Sequence, residues 1–201
     1  MRGWQSLNLR SHHNFNAMSP KWEPNQSQPM ISHPDTACGR VLLFTGGDPI
    51  AAIVKWQSRS HYSHAALLIP GTNRVIESYP FKGVRERELT AKDWERIHAY
   101  EVPGMTANMW DAACAFGQAQ MGKPYDWRSV LKFVTRTPAK ENGKWFCSEL
   151  VFQMIAVSYL RPLQMSAEYV NPGHLPASPY LRRDEDFEMQ MLEALSADFA
   201  D

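Results

Sequence analysis

The sequence predicts an α+β protein in which an antiparallel sheet packs against helices. Three observations carry this. Short apolar or alternating runs with turn signals between them are gathered in residues 41–102. Segments with helical periodicity dominate from Thr106 to Tyr159. The two kinds are largely segregated along the chain, which points to α+β rather than to repeating βαβ units. At 201 residues the chain fills one domain with tails.

Residues 1–37 are rich in Asn, Gln, Ser, Pro and His without apolar periodicity, and read as a disordered leader in which His12, His13 and His33 are solvated. An ordered domain is expected over 38–181. It opens on Val41-Leu42-Leu43-Phe44, closed by Gly46-Gly47. Asp48 is placed to cap a helix with Pro49 at its first position, and Ile50, Ile53, Val54 and Gln57 follow helical spacing. A strand over 65–69 ends at Pro70-Gly71, and 74–79 reads as the returning strand, with Val75, Glu77 and Tyr79 on one face and Ile76 and Ser78 on the other. Pro80 breaks it. Residues 83–89 read as an exposed strand, 91–97 as a short helix and 99–102 as a further strand.

The spacing of Met109, Ala112, Ala113, Phe116 and Gln120 predicts an amphipathic helix over 106–121, off whose apolar face Cys114 falls. Asp126 is placed to cap a second helix through Val130, Leu131 and Val134. Residues 146–159 are apolar nearly all round, the mark of a buried central helix. A Pro-rich stretch (Pro162, Pro172, Pro176, Pro179) reads as an ordered loop across the core. Residues 182–201 form an acidic tail or surface helix outside the domain.

Lys+Arg and Asp+Glu both total 21, so the formal net charge is zero and no basic excess points to nucleic acid. Trp94, Trp110 and Trp127 read as core or pocket walls. Cys38, Cys114 and Cys147 show no CxxC spacing, and their odd number fits a reducing compartment better than a disulfide framework. The N-terminus lacks the apolar stretch of a secretory signal, and no apolar run has the length of a membrane span. The expectation is a soluble, cytoplasmic protein without a transmembrane segment, with peripheral membrane contact and oligomeric state left open.

Chemistry is concentrated at two positions. His64 begins a strand in HYSHAALLI, and Cys147 begins an apolar helix in WFCSELVFQMI. A thiol at a helix N-terminus feels the positive end of the macrodipole, and a strand-borne imidazole can serve as its ion-pair partner and general acid and base. Glu77 is the candidate that orients the imidazole. A hairpin across Pro70-Gly71-Thr72-Asn73 sets Ile69 near Arg74 and position 77 near position 66, which brings Glu77 onto the face of His64. The backbone N–H of Cys147, freed at the helix start, is available to an oxyanion.

The segments SHAALLI, VIES, GKPYDW, WFCSELV and NPGHLPASPYL resemble those of circularly permuted NlpC/P60 cysteine hydrolases, in particular the YiiX/YebB-like branch. In unpermuted papain-like enzymes the Cys precedes the His; here His64 and Glu77 precede Cys147. The resemblance covers residues 40–180. It implies a papain-like fold, Cys147 as nucleophile, His64 as base and acid, Glu77 as the orienting group, and Tyr125 as a residue lining the site near substrate carbonyl or oxyanion. It further implies attack on an amide, ester or thioester carbonyl through an acyl-enzyme, with a lipid-like or acylated small molecule favoured over a peptide.

Two readings compete. One is a non-catalytic module that uses the same cleft to bind an acyl group or peptide. The other is a zinc-dependent hydrolase with His61, His64 and Cys147 as ligands, which a strand disfavours because His61 and His64 would face opposite sides. The leading reading requires no cofactor and no metal.

Overall fold

The computed structural model describes residues 38–127, 143–158 and 160–197. The leader over 1–37 and most of the helix expected after Asp126 lie outside the described residues.

In chain order the elements are β1 (Arg40–Phe44), α1 (Pro49–Ser58), β2 (His64–Leu68), β3 (Arg74–Tyr79), β4 (Gly83–Glu88), α2 (Ala91–Trp94), β5 (Ile97–Glu101), α3 (Ala107–Gln118), α4 (Cys147–Ala156), β6 (Arg182–Arg183) and α5 (Glu185–Ala197). The strands form one six-stranded sheet in the order β4-β3-β2-β1-β5-β6. Every neighbouring pair is antiparallel. The chain is therefore α+β, as its sequence predicts.

Local chemistry explains the framework. Asp48 accepts the Ala51 N–H at 2.8 Å ahead of Pro49, which starts α1. The Ile69 N–H donates to the Arg74 carbonyl at 2.9 Å, closing the β2–β3 turn. That turn fixes a register in which Ala66 lies opposite Glu77, the pairing expected from the turn length. α2 is shorter than the helix expected over 91–97, because Ile97 already pairs with Phe44 as the first residue of β5.

Strand alternation divides the core between the two faces of the sheet. Val41, Leu43, Ala65, Leu67 and Ile76 pack with Trp110, Ala113 and Cys114 of α3 and with Leu150, Val151, Met154 and Ile155 of α4. Leu42, Phe44, Ala66, Leu68, Val75 and Ala99 pack with Trp94 of α2 and with Phe187 and Met191 of α5. Each fully buried Leu, Ile or Met stabilises the fold by about 1.5–3 kcal/mol, so α4 is held firmly against the sheet by its own side chains.

Two expectations are corrected here. Cys114 belongs to the core: the buried stripe of α3 is Trp110, Ala113, Cys114 and Gly117, one residue out of phase with the expected one. Gly117 sets the phase, since a Cβ there would lie 2.5 Å from Met154 Cε and 3.0 Å from Ile76 Cγ2. The segment from 182 is likewise part of the domain. Arg182 and Arg183 pair with Glu101 and Tyr100, and Phe187 and Met191 of the following helix cover a sheet face that would otherwise meet water. The Pro-rich stretch is ordered as expected, with Val170, Leu175 and Leu181 in the core.

Candidate functional site

The β2–β3 ladder ends at Ala66 and Glu77, and beyond that end His64 pairs only with Phe44 of β1 and Tyr79 only with Gly83 of β4. α4 begins at this end. Ser78 Oγ donates to the Trp145 carbonyl at 2.7 Å, just ahead of the helix start. Phe146 occupies the N-cap, and its N–H donates to Glu149 Oε2 at 3.3 Å, a structural use of that carboxylate. Cys147 is the first helical residue, so its N–H belongs to the set without an intrahelical acceptor.

The structure brings His64, Glu77 and Cys147 together. His64 Nε2 lies 2.8 Å from Glu77 Oε2, and the Cys147 side chain is near enough to the imidazole to raise its pKa. The ring is flanked by Phe44 and Tyr79 at centroid distances of 5.2 and 5.6 Å. Glu77 and Cys147 are both 0% exposed, and the His64 side chain is 12% exposed.

Burial works against a charged imidazole, but the hydrogen bonds and charges of Cys147 and Glu77 outweigh it and raise the His64 pKa from 6.5 to about 10. Burial likewise works against ionised Glu77. Here the bond to His64, the charges of His64 and Arg87, and the bond from Arg85 prevail and hold the carboxyl at about 2, below its ordinary 4.5. The imidazole is thus cationic and the carboxylate anionic at neutral pH.

Two further residues belong to this network. Arg85 donates through Nε and Nη2 to Glu77 Oε1 at 2.9 and 2.7 Å, and Arg87 Nε donates to the same oxygen at 3.0 Å. Arg87 also spans to Asp93 at 2.9 and 3.1 Å, and Asp93 in turn forms a capping box with Thr90. The arginines were legible in principle. The alternation Arg85-Glu86-Arg87-Glu88 places both on the Glu77 face of β4, with Arg85 directly opposite Glu77. Reading the strand as merely exposed hides this, because a side chain at a sheet edge can still reach inward.

Tyr125 packs with Val54, Phe146 and Cys147 in a small apolar cluster. Burial first, and then the neighbouring Cys147 charge, pushes its phenol pKa up, so the hydroxyl stays protonated. Its ring meets Trp127 at 5.1 Å, and Trp127 meets Phe81 at 4.7 Å. Trp94 and Trp110 are buried in the core, whereas Trp127 is exposed. His61 is exposed and precedes β2. Among the described residues, no group of three or more His, Cys, Asp or Glu is arranged to hold a metal ion. No described helix is long and apolar enough to cross a membrane.

No protein-family model matches the sequence, and no curated protein matches it. Among solved structures the chain is similar to a crystal structure described as the metalloprotein YiiX of Escherichia coli O157:H7, DUF1105. The TM-score is 0.58 at 15% identity, over 73% of this chain and 95% of that one. The fold is YiiX-like. At this identity the likeness extends to the fold alone.

Proposed function

We propose that this chain is a thiol hydrolase or acyltransferase of permuted NlpC/P60, papain-like type, working through an acyl-enzyme on Cys147. The observation that supports the reading is the His64–Glu77 hydrogen bond beside Cys147, the first residue of a buried helix. The raised His64 pKa is what a thiolate–imidazolium pair requires.

In this mechanism the Cys147 thiolate attacks the carbonyl carbon of an ester, thioester or amide, and a C–S bond forms as the carbonyl oxygen becomes an oxyanion. The Cys147 N–H and the Tyr125 hydroxyl donate to that oxygen. Collapse breaks the bond to the leaving group, which takes the His64 proton. Neutral His64 then accepts a proton from water, or from an acceptor hydroxyl or amine, whose attack releases the acyl group and regenerates the thiolate. Glu77 holds the ring in place and stabilises the imidazolium. The favoured substrates are acylated small molecules or lipids. The chemistry needs a reduced thiol, in keeping with a cytoplasmic location.

The test is the rate of iodoacetamide labelling of Cys147 against pH, mapped by peptide mass spectrometry in a Cys38→Ser background, with and without His64→Ala. Cys114 is an internal control, since burial pushes its thiol up to about 12. Labelling at mildly acidic pH that is lost with His64→Ala supports the pair. Turnover is then sought with acyl ester, thioester and amide series. The complete burial of Cys147 favours a second reading, a binding module whose thiol is structural. Slow labelling that ignores His64 would establish that one.

A further inference from the structure

α1 is apolar on its outward face as well as its inward one. Ala51 and Val54 are buried, whereas Pro49, Ala52, Ile53 and Trp56 are exposed at the i, i+3, i+4, i+7 spacing of a single stripe. Ile53 is 50% and Trp56 74% exposed, and the helix contains no acidic residue. Its sequence spacing alone put Ile53 with Val54; the structure turns Ile53 outward.

This helix adjoins the thiol site. Val54 packs with Tyr125, Phe146 and Cys147. From Tyr125 a chain of ring contacts runs through Trp127 to Phe81, which is 81% exposed at the β3–β4 turn. Phe81 has φ 62°, a conformation that disfavours bulky residues, so the turn holds an aromatic ring out in solvent against its backbone preference.

Charge identifies the partner. Exposed Arg59 caps the C-terminus of α1 and exposed Lys82 follows Phe81, while half-buried Lys55 in the last turn of α1 donates to the Thr45 carbonyl at 2.7 Å. The acid beside α1, Asp48, is engaged as its N-cap. In a chain of zero formal net charge, these exposed apolar residues are thus bordered by cations. Trp, Phe and Ile flanked by Lys and Arg match the boundary between acyl chains and anionic headgroups.

We propose that the outer face of α1, with Phe81 and Trp127, docks on an anionic lipid surface and holds the Cys147 site against it. The docking face does not depend on Cys147 chemistry; only the use of the docked lipid as acyl donor rests on the proposed function.

The test is flotation of the full chain with phosphatidylcholine vesicles, alone and with about a third phosphatidylserine. The expected result is binding to the anionic vesicles that weakens with added salt. Partitioning should fall by about tenfold or more in the double variant Ile53→Ser, Trp56→Ser. Both positions are exposed, so the variant's circular dichroism should match the wild type. Cys147→Ala should bind like the wild type, which separates docking from catalysis. Absence of vesicle binding, equal binding to neutral and anionic vesicles, or equal binding by the double variant would each overturn the proposal. So would a concentration-dependent dimer abolished by the double variant, since the face would then belong to a second copy of the chain.

Discussion

Glu77 divides its two oxygens between different tasks: Oε2 lies 2.8 Å from His64 Nε2, while Oε1 takes the donors of Arg85 and Arg87. One buried carboxylate thereby joins the imidazole to two guanidinium groups across the β2, β3 and β4 strands. The imidazolium is opposed by burial and sustained by Cys147 and Glu77. Cys147→Ser keeps the side chain's size but removes the ionisable thiol. His64 should then titrate well below about 10 when its ring resonances are followed by NMR. An unmoved titration would mean that the thiol does not share charge with the ring.

The same shift governs alkaline stability. His64 binds its proton more tightly folded than at the ordinary 6.5, so its contribution is complete below 6.5 and disappears as pH rises through about 10. Urea midpoints measured across that window should decline in the wild type and stay flatter in His64→Gln. Parallel curves would remove His64 from the explanation.

Glu77 is the costliest member of the network to remove. Glu77→Ala takes the shared carboxylate from His64 and Arg85 and leaves Arg87 with Asp93 alone, and should destabilise the fold by about 3–5 kcal/mol. Glu77→Gln keeps the shape and some bonds and should cost less. Equal, small losses in both variants would show that water replaces the carboxylate with ease.

After His64, Arg87 contributes most to the acid limit. Glu77 is held at about 2 against an ordinary 4.5, so its stabilising contribution is present above 4.5 and is lost as pH falls through about 2. Removing the Arg87 charge raises the folded pKa of Glu77 and shrinks that contribution. In Arg87→Gln, acid unfolding followed by circular dichroism should therefore begin at a higher pH than in the wild type. The result should be compared with Asp93→Asn, which loosens Arg87 without removing its charge.

The hairpin was legible because turn chemistry and strand period agree: Pro70-Gly71 closes the loop, and the register then puts Glu77 opposite Ala66, near His64. The start of α1 was legible for the same reason, since Asp48-Pro49 allows little else. What escaped the sequence depends on partners far away in the chain. Cys114 points inward because Gly117 lets α4 and β3 approach that side of α3. The acidic segment from 182 is drawn into the domain because β5 offers an open edge and Trp94 offers an apolar seat for Phe187. Arg85 and Arg87 escaped because alternation marks a face without saying that a buried carboxylate lies across from it.

Tyr125 offers a conservative test of the oxyanion role. Tyr125→Phe removes only a hydroxyl and keeps the ring against Val54, Phe146 and Cys147. Stability should change by less than about 1 kcal/mol, while in the proposed mechanism acyl-enzyme formation should slow by about 100–1000-fold. Equal rates would reduce Tyr125 to a wall of the site.

Gly83 ties the edge strand to this wall. It has φ 70°, and a Cβ there would lie 2.3 Å from the Lys123 carbonyl oxygen and 3.3 Å from Pro124 Cα, the residue before Tyr125. The clash is with backbone, and the backbone is pinned: the Val84 N–H donates to that same Lys123 carbonyl at 2.8 Å, and the Gly122 N–H donates back to Val84 at 2.9 Å. Gly83→Ala must therefore both strain its own backbone and push the 122–125 segment away, at a combined cost of about 3 kcal/mol. Gly122→Ala is the matched control, with φ 77° but nothing within 4 Å of its Cβ, so it bears the conformational cost alone, about 1–2 kcal/mol. Denaturation should rank the two in that order. Cys147 labelling should accelerate in Gly83→Ala and not in Gly122→Ala, because only the first displaces the tyrosine that packs against the thiol.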